Sequence, residues 1–160
     1  MKPLPPQQLE LRAGRVADLA RRLLDGHGLH DWSFAYNRRK RSLGVCQYRR
    51  RRIELSIHLL ERNPDAEVRD TILHEIAHAL VGPGHGHDAV WKAMCRKVGA
   101  RPERIAHGAE MPPGRWQAGC GACGKVYHRH RRPPRLDGWY CRGCGSRRGA
   151  LRWRLAERTA

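Results

Sequence analysis

The 160-residue sequence has few acidic residues, few aromatic residues and no long apolar run. No stretch approaches the roughly 18 consecutive apolar residues that mark a membrane-spanning helix, and the first residues lack the apolar core of a signal peptide. The sequence therefore predicts a cytoplasmic protein without a membrane segment. Aromatic residues make up only 6% of the chain. With so lean a core, a small second domain would need a disulfide or a metal to hold it together.

Basic residues far outnumber acidic ones, with 32 Lys and Arg against 15 Asp and Glu and a net charge of +17. Such an excess predicts an anionic partner. Arginine supplies 27 of the 32 cations, and its planar guanidinium can bind a phosphate through two hydrogen bonds. A GC-rich genome would also enrich Arg over Lys, so the prediction of nucleic acid depends more on the charge than on that ratio.

The first part of the chain predicts one helix followed by three strands. Apolar residues recur at helical spacing from Gln7 to about Asp25, and Gly26 and Gly28 end the pattern. The basic clusters at 38–41 and 49–52 lie in or beside the turns between strands, where they are either solvated edges or contacts for nucleic acid. The predicted strands are Trp32–Tyr36, Leu43–Tyr48 and Ile53–His58.

Two more helices are predicted after the strands. Asn63 is a candidate N-cap and Pro64 suits a first helical position, so we expect a helix from there to about Val81, before a Gly-Pro-Gly turn. A second helix is predicted from about Asp88 to Val98, with an inward-facing Trp91.

The first of these helices contains a His-Glu-x-x-His motif. His74 and His78 are four residues apart, so both imidazoles project from one side of the helix and can share a metal ion. Catalytic zinc takes three protein ligands and keeps one position for water, whose pKa falls to about 7. Glu75 lies next to the first ligand and is the candidate general base that accepts the proton from that water.

The third zinc ligand is predicted to be His87, with His85 as the alternative. Both lie in the short segment between the two helices. His87 is preferred because it starts the next helix, where Trp91 one turn later would pack inward and fix the approach of the ring.

This motif, with a Gly-His element and a following aromatic residue, resembles the SprT-like, or Spartan-type, zinc metallopeptidases. The resemblance implies an α+β fold with a zincin-like minimal metalloprotease domain, made of an N-terminal helix, a small antiparallel sheet, the motif helix and a following helix. It also implies His74, His78 and His87 as zinc ligands and Glu75 as the base. Asp88-Ala89 stands where the family commonly has Gly-Pro, and Gly84-His85-Gly86 matches that local pattern in the other register.

The C-terminal part carries two Cys-x-x-Cys pairs separated by 17 residues, a spacing typical of a zinc ribbon. Cys120, Cys123, Cys141 and Cys144 are therefore predicted to bind a second, structural zinc. The predicted organisation is a metalloprotease domain at 7–108, a linker at 109–115 and a zinc-ribbon domain at 116–156. The remaining thiols, Cys46 and Cys95, are expected to be buried and unreactive.

Arginines and aromatic residues are interleaved around the cysteines, which is typical of proteins that bind single-stranded nucleic acid. The aromatic residues could equally fill a domain too small for an ordinary core. Together with the family resemblance, the sequence predicts a DNA-associated zinc endopeptidase that cleaves proteins bound to or crosslinked with DNA, including single-stranded DNA. The alternative is a non-catalytic nucleic-acid-binding or transcription-associated zinc protein, in which Glu75 would have no chemical role.

Overall fold

The computed structural model describes residues 4–104 and 108–156. Residues 1–3, on which part of the signal-peptide prediction depends, lie outside the described residues. Residues 105–107 of the predicted first domain also lie outside them. The chain divides into two compact units, Met1–Met111 and Pro112–Ala160. No helix in the described part is long and apolar enough to cross a membrane.

Within its described residues, the first unit contains four α-helices and a three-stranded sheet. A helical turn at Tyr48–Arg50 separates the second and third strands. The predicted helices and strands are present, with bounds that differ by one or two residues. The elements are α1 (Pro6–Gly26), β1 (Ser33–Asn37), β2 (Gly44–Gln47), β3 (Arg52–Ser56), α2 (Ile57–Arg62), α3 (Asp65–Val81) and α4 (Ala89–Val98).

The sheet is mixed, so the prediction of an antiparallel sheet was wrong in one pairing. The strand order is β1-β3-β2, with β2 antiparallel and β1 parallel to β3. The chain does reverse at each connection, but β3 inserts between the other two strands. Strand spacing in a sequence predicts reversals and does not predict which strand lies in the middle. As a result β2, and not β3, is a free edge of the sheet.

The segment between β3 and α3 differs from the prediction in two ways. The expected strand continued to His58, but Ser56 Oγ accepts a hydrogen bond from the His58 N–H and caps the short helix α2. Asn63 does not cap α3, whose N-cap residue is Pro64. The Asn63 amide instead donates to the carbonyls of Leu59 and Glu110, so it holds the turn between the helices. A capping residue type is a local signal, and these tertiary contacts outcompeted it.

The core of the first unit lies between α3, the sheet and the two flanking helices. The four-residue spacing in α3 predicts an apolar row of Val68, Ile72, Ile76 and Leu80; the first three are fully buried and Leu80 is partly buried. Trp91 from α4 is also fully buried. By roughly 25 cal/mol per Å² of buried apolar surface, each such side chain stabilises the fold by about 2 kcal/mol. The α3 core residues are Val68, Ile72, Leu73, Ile76 and Ala77.

A buried arginine holds α1 against the start of α3. Arg12 is only 8% exposed, and its guanidinium donates to the carbonyls of Leu60 and Asn63. It also forms an ion pair with Asp65 at 2.5 Å. The buried guanidinium thus has two carbonyl acceptors and one carboxylate partner, and a buried charge requires such partners.

The second unit contains short strands around a small core. In one sheet the strand Trp116–Gly119 pairs antiparallel with both Val126–Arg129 and Arg154–Leu155, and in the other Trp139–Tyr140 pairs with Ala150–Leu151. Gly114 packs so tightly on the Arg129 backbone that a Cβ at this position would lie 2.1 Å from its carbonyl carbon. The elements are β4 (Trp116–Gly119), β5 (Val126–Arg129), β6 (Trp139–Tyr140), α5 (Gly145–Arg148), β7 (Ala150–Leu151) and β8 (Arg154–Leu155).

Most aromatic rings of the second unit are engaged in its own packing. Trp153 is buried in the core, and the Arg129 guanidinium lies over the rings of Trp139 and Trp153, at 4.4 and 5.2 Å from the ring centroids. Tyr140, in contrast, is 59% exposed. Trp153 therefore fills the small core, as one of the two expectations for the aromatic residues had it. The Tyr140 ring, in contrast, is open to solvent.

Candidate active site

Three imidazoles converge at one point of the first unit. His74 and His78 extend from one face of α3, and His87 comes from the loop that precedes α4. The Nε2 atom of His87 lies 3.2 Å from that of His78 and 3.3 Å from that of His74. Tetrahedral zinc with Zn–N bonds near 2.0–2.1 Å would place its ligand nitrogens about 3.3 Å apart. The spacing of the three nitrogens therefore fits one zinc ion.

The electrostatics of these rings also suit a metal. Burial and the neighbouring imidazoles lower the pKa of His74 to about 4, and burial and His87 lower the pKa of His78 to about 4. Burial and the charge of Arg104 lower the pKa of His87 as well. The rings are thus neutral near pH 7, and neutral imidazoles are the form that binds a metal cation.

Trp91 fixes the positions of all three rings. Its ring centroid lies 4.7 Å from that of His74, 5.1 Å from that of His78 and 4.6 Å from that of His87. Asp88 caps α4 by accepting a hydrogen bond from the Trp91 N–H. The first turn of α4 therefore positions the Trp91 ring. The inward packing predicted for Trp91 is confirmed.

His85 does not join the cluster. Its Nδ1 atom lies 2.8 Å from a carboxylate oxygen of Asp88. Its backbone hydrogen-bonds to His78 and raises the pKa of that ring, as an accepting carbonyl does. Contacts of this kind orient the ligands of a metal site without touching the metal.

Glu75 lies at the same site, packed against the edge strand β2. It is 6% exposed, and a Cβ at Gly44 would lie 2.7 Å from its Oε1 atom. Burial raises the pKa of Glu75 to about 8, while a hydrogen bond to the backbone of Cys46 lowers it. A cation held by the neighbouring histidines would favour the carboxylate form.

An open cleft of about 680 Å³ contains the three histidines and Glu75. One wall is β2 with the residues before it, and the other includes Arg101, Glu103 and Arg104. Arg101 is held there by Glu67 at 2.7 Å and by Asp70 at 2.9 Å. The space is large enough for an extended segment of another chain.

Cys46 differs from the expectation of a buried, unreactive thiol, because it is partly exposed and lines this cleft. Burial and the nearby Glu75 raise its pKa to about 12, so the thiol stays protonated. Cys95 is fully buried, as expected. No motif in the sequence assigns Cys46 or Gly44 to the site. Both line the cleft only because β2 packs beside α3.

The second unit contains the other candidate metal site. The Sγ atoms of the four cysteines, Cys120, Cys123, Cys141 and Cys144, lie within 4.8 Å of one another. The Cys123 and Cys141 sulfurs are 3.8 Å apart, and tetrahedral zinc with Zn–S bonds near 2.3 Å gives about the same separation. This cluster is compatible with a zinc ribbon.

Hydrogen bonds favour the thiolate of Cys141, whereas the hydrogen bond with Cys123, burial and the other nearby cysteines raise the pKa of Cys144 to about 12. The Tyr127 hydroxyl donates to Cys141 Sγ at 3.1 Å, and with the backbone N–H groups of Cys144 and Gly143 it lowers the pKa of that thiol to about 6. Gly124 and Gly145, with φ of 72° and 69°, close the two turns by donating to the carbonyls of Cys120 and Cys141. Left-handed backbone at these positions explains the glycine after each cysteine pair.

The comparisons with known proteins agree with this geometry. A model of the SprT-like family matches residues 15–111. Protein SprT from Shigella boydii serotype 18, from Shigella sonnei strain Ss046 and from Escherichia coli strain K12/DH10B are each 28% identical to this chain over 153 residues, covering 89% of it and 93% of each relative. No solved structure matches the chain significantly. With more than half of the chain matched, the protein belongs to the SprT-like family.

Proposed function

We propose that this protein is a zinc endopeptidase that cleaves proteins bound to or crosslinked with DNA. One observation carries the catalytic part, namely three Nε2 atoms at zinc spacing beside a buried glutamate in an open cleft. A site that only stabilised the fold would have no need of a carboxylate there, or of a cleft.

The residues of the cleft have distinct roles in this proposal. His74, His78 and His87 hold the zinc, and Trp91 and the backbone of His85 keep the rings in place. Bound zinc would supply an acidified water and polarise the carbonyl of the scissile peptide bond. Glu75 takes the proton from the water and later delivers it to the leaving amine. Its burial against β2 keeps bulk water from competing for that proton.

The four cysteines hold a second zinc with a structural role. Their unit has only a few buried core residues, so a metal supplies much of its stability. All six cysteines are unpaired thiols, which suits a reducing compartment such as the cytoplasm.

DNA is the proposed partner because of charge and its arrangement. The net charge of +17 comes mainly from arginine. In the second unit, the exposed Arg152 lines the same pocket as the open ring of Tyr140, a combination that suits a phosphate and an unpaired base. Binding to DNA would concentrate the enzyme near proteins held there and limit cleavage elsewhere.

The test is cleavage of a DNA-bound basic protein, with and without DNA, by the zinc-loaded wild type and by Glu75→Gln. The wild type should cleave, and cleavage should rise with DNA. The variant should lose proteolysis while it keeps its zinc content and DNA affinity, because only the proton acceptor is removed. Equal cleavage by both proteins would contradict the assigned base, and the absence of cleavage by the wild type would favour a non-catalytic binding protein.

A further inference from the structure

Two groups of cations lie at the two ends of β2, the edge strand that forms one wall of the cleft. The first group is in the loop before β2 and the second is in the helical turn that follows it. All of these side chains are exposed. We call them the rim cations, and they are Arg38, Arg39, Lys40, Arg41, Arg49 and Arg50.

The rim cations have no carboxylate partner within the described ranges, whereas three other arginines of the first unit are held by carboxylates. Arg12 pairs with Asp65, and Arg101 pairs with Glu67 and Asp70. Arg51, directly after the second group, pairs with Asp31. These carboxylates are thus used elsewhere, and no ion pair within the described ranges compensates the positive charge at the rim. Exposed cations that repel one another destabilise the free protein slightly and gain most from an anionic partner.

The spacing of the two groups suits a chain of phosphates. β2 has four residues, so its ends are about 10 Å apart at 3.4 Å per residue. One strand of a duplex carries a phosphate about every 3.4 Å of helix axis, so a surface of this length faces several phosphates. Five of the six rim cations are arginines, whose planar donors match a phosphate better than lysine does.

We propose that the rim cations form a phosphate-binding surface on the catalytic unit, which holds the nucleic-acid backbone at the mouth of the cleft. Arg41 lines the cleft itself, together with β2, so a backbone bound there lies beside the zinc site. Nucleic acid is preferred to an acidic polypeptide because the rim cations are mainly arginines, set at a spacing that matches successive phosphates. This surface belongs to the catalytic unit and not to the cysteine-containing unit. Its purpose, to align a DNA-bound substrate with the cleft, depends on the proposed function.

The test measures binding of a fluorescently labelled single-stranded oligonucleotide by anisotropy over a range of salt concentrations. The full-length, zinc-loaded protein carries Glu75→Gln, so the substrate and the protein stay intact. One variant adds Arg38→Gln, Arg41→Gln, Arg49→Gln and Arg50→Gln. The matched control removes the same number of exposed charges from α1 and α4, with Arg21→Gln, Arg22→Gln, Lys92→Gln and Lys97→Gln.

The rim variant should bind at least about tenfold more weakly than the control at physiological salt. The plot of log K against log salt has a negative slope, and each phosphate that the protein no longer neutralises makes it less steep by about 0.7. The slope for the rim variant should therefore be less steep than that for the control by about 1.5 or more. Equal affinities and slopes for the two variants would overturn the proposal, since only net charge would then matter. A larger decrease in affinity for labelled polyglutamate than for the oligonucleotide would overturn it in favour of an acidic polypeptide. Proteolysis is not part of this readout, so an inactive wild type would count against the proposed function alone.

Discussion

At the scale of single residues, Gly44 determines where the proposed base can sit. A Cβ at this position would lie 2.7 Å from Oε1, 2.8 Å from Cγ and 3.0 Å from Cδ of Glu75. Gly44 has no left-handed backbone, so its conformation would accept an alanine and only the space is missing. The edge strand β2 can therefore pack this closely against the Glu75 carboxylate only because residue 44 has no side chain.

Gly44→Ala should lower kcat for proteolysis by about 10- to 100-fold, because a carboxylate displaced by about 1 Å is misaligned with the reacting water. KM and zinc content should change little, since neither the histidines nor the outer cleft moves. Gly84→Ala is the matched control, because a Cβ there meets no atom within 4 Å. Steady-state kinetics and elemental analysis of both variants check this, and a wild-type kcat for Gly44→Ala would contradict it.

At the scale of elements, α1 is fastened to the turn between α2 and α3 by one buried side chain. Arg12 donates to Asn63 O at 2.7 Å and to Leu60 O, and its Nε donates to Asp65 at 3.0 Å. The side chain of Asp65 is 80% exposed, so water screens the ion pair. The two carbonyls, in contrast, are buried acceptors that would be left without Arg12.

Arg12→Gln should lower the free energy of unfolding by about 2–3 kcal/mol, because it leaves buried acceptors unsatisfied. Asp65→Asn should cost less than about 1 kcal/mol, as expected for a screened pair. Arg21→Gln, an exposed change on the same helix, should stay within about 0.5 kcal/mol of the wild type. Urea unfolding monitored by circular dichroism gives all three values. A cost for Asp65→Asn equal to that for Arg12→Gln would mean that the ion pair holds α1.

At the scale of the whole molecule, each unit brings one cluster of candidate metal ligands together. The two differ in chemistry, since the histidines line an open cleft while Cys120 and Cys141 are buried in a small core. Open sites with three ligands suit catalysis, and closed sites with four suit stability.

Elemental analysis should find two zinc ions per chain in the loaded wild type, one in His87→Ala and two in His85→Ala. His85 provides the matched control, because its ring faces Asp88 and not the other histidines. Chelation should unfold the cysteine-containing unit, while the first unit, with its larger core, should stay folded. A single zinc in the wild type, or a loss of zinc in His85→Ala, would contradict these assignments.

Local signals in the sequence predicted much of the fold. The histidine spacing, the apolar row of α3 and the cysteine pairs depend on residues close in the chain, so helix geometry and turn chemistry express them directly. The family was identified from the same motif, and the family match agrees. One error was local, because the Ser56 cap ended the strand that was expected to reach His58. Another concerns a pairing between distant segments, with β3 lying between β1 and β2. The role expected for Asn63 failed for the same reason, because its amide contacts Glu110.

The sequence by itself determined the ligand types, the charge and the elements that carry them, because each is fixed by residue identity or by spacing within one turn. Only the tertiary structure decided that His87 and not His85 faces His74 and His78, and that Gly44 lies against Glu75. It also decided that Arg41, one of the rim cations, lines the cleft. These outcomes depend on how β2, α3 and the loop before α4 pack, and packing is set by all of the buried side chains together.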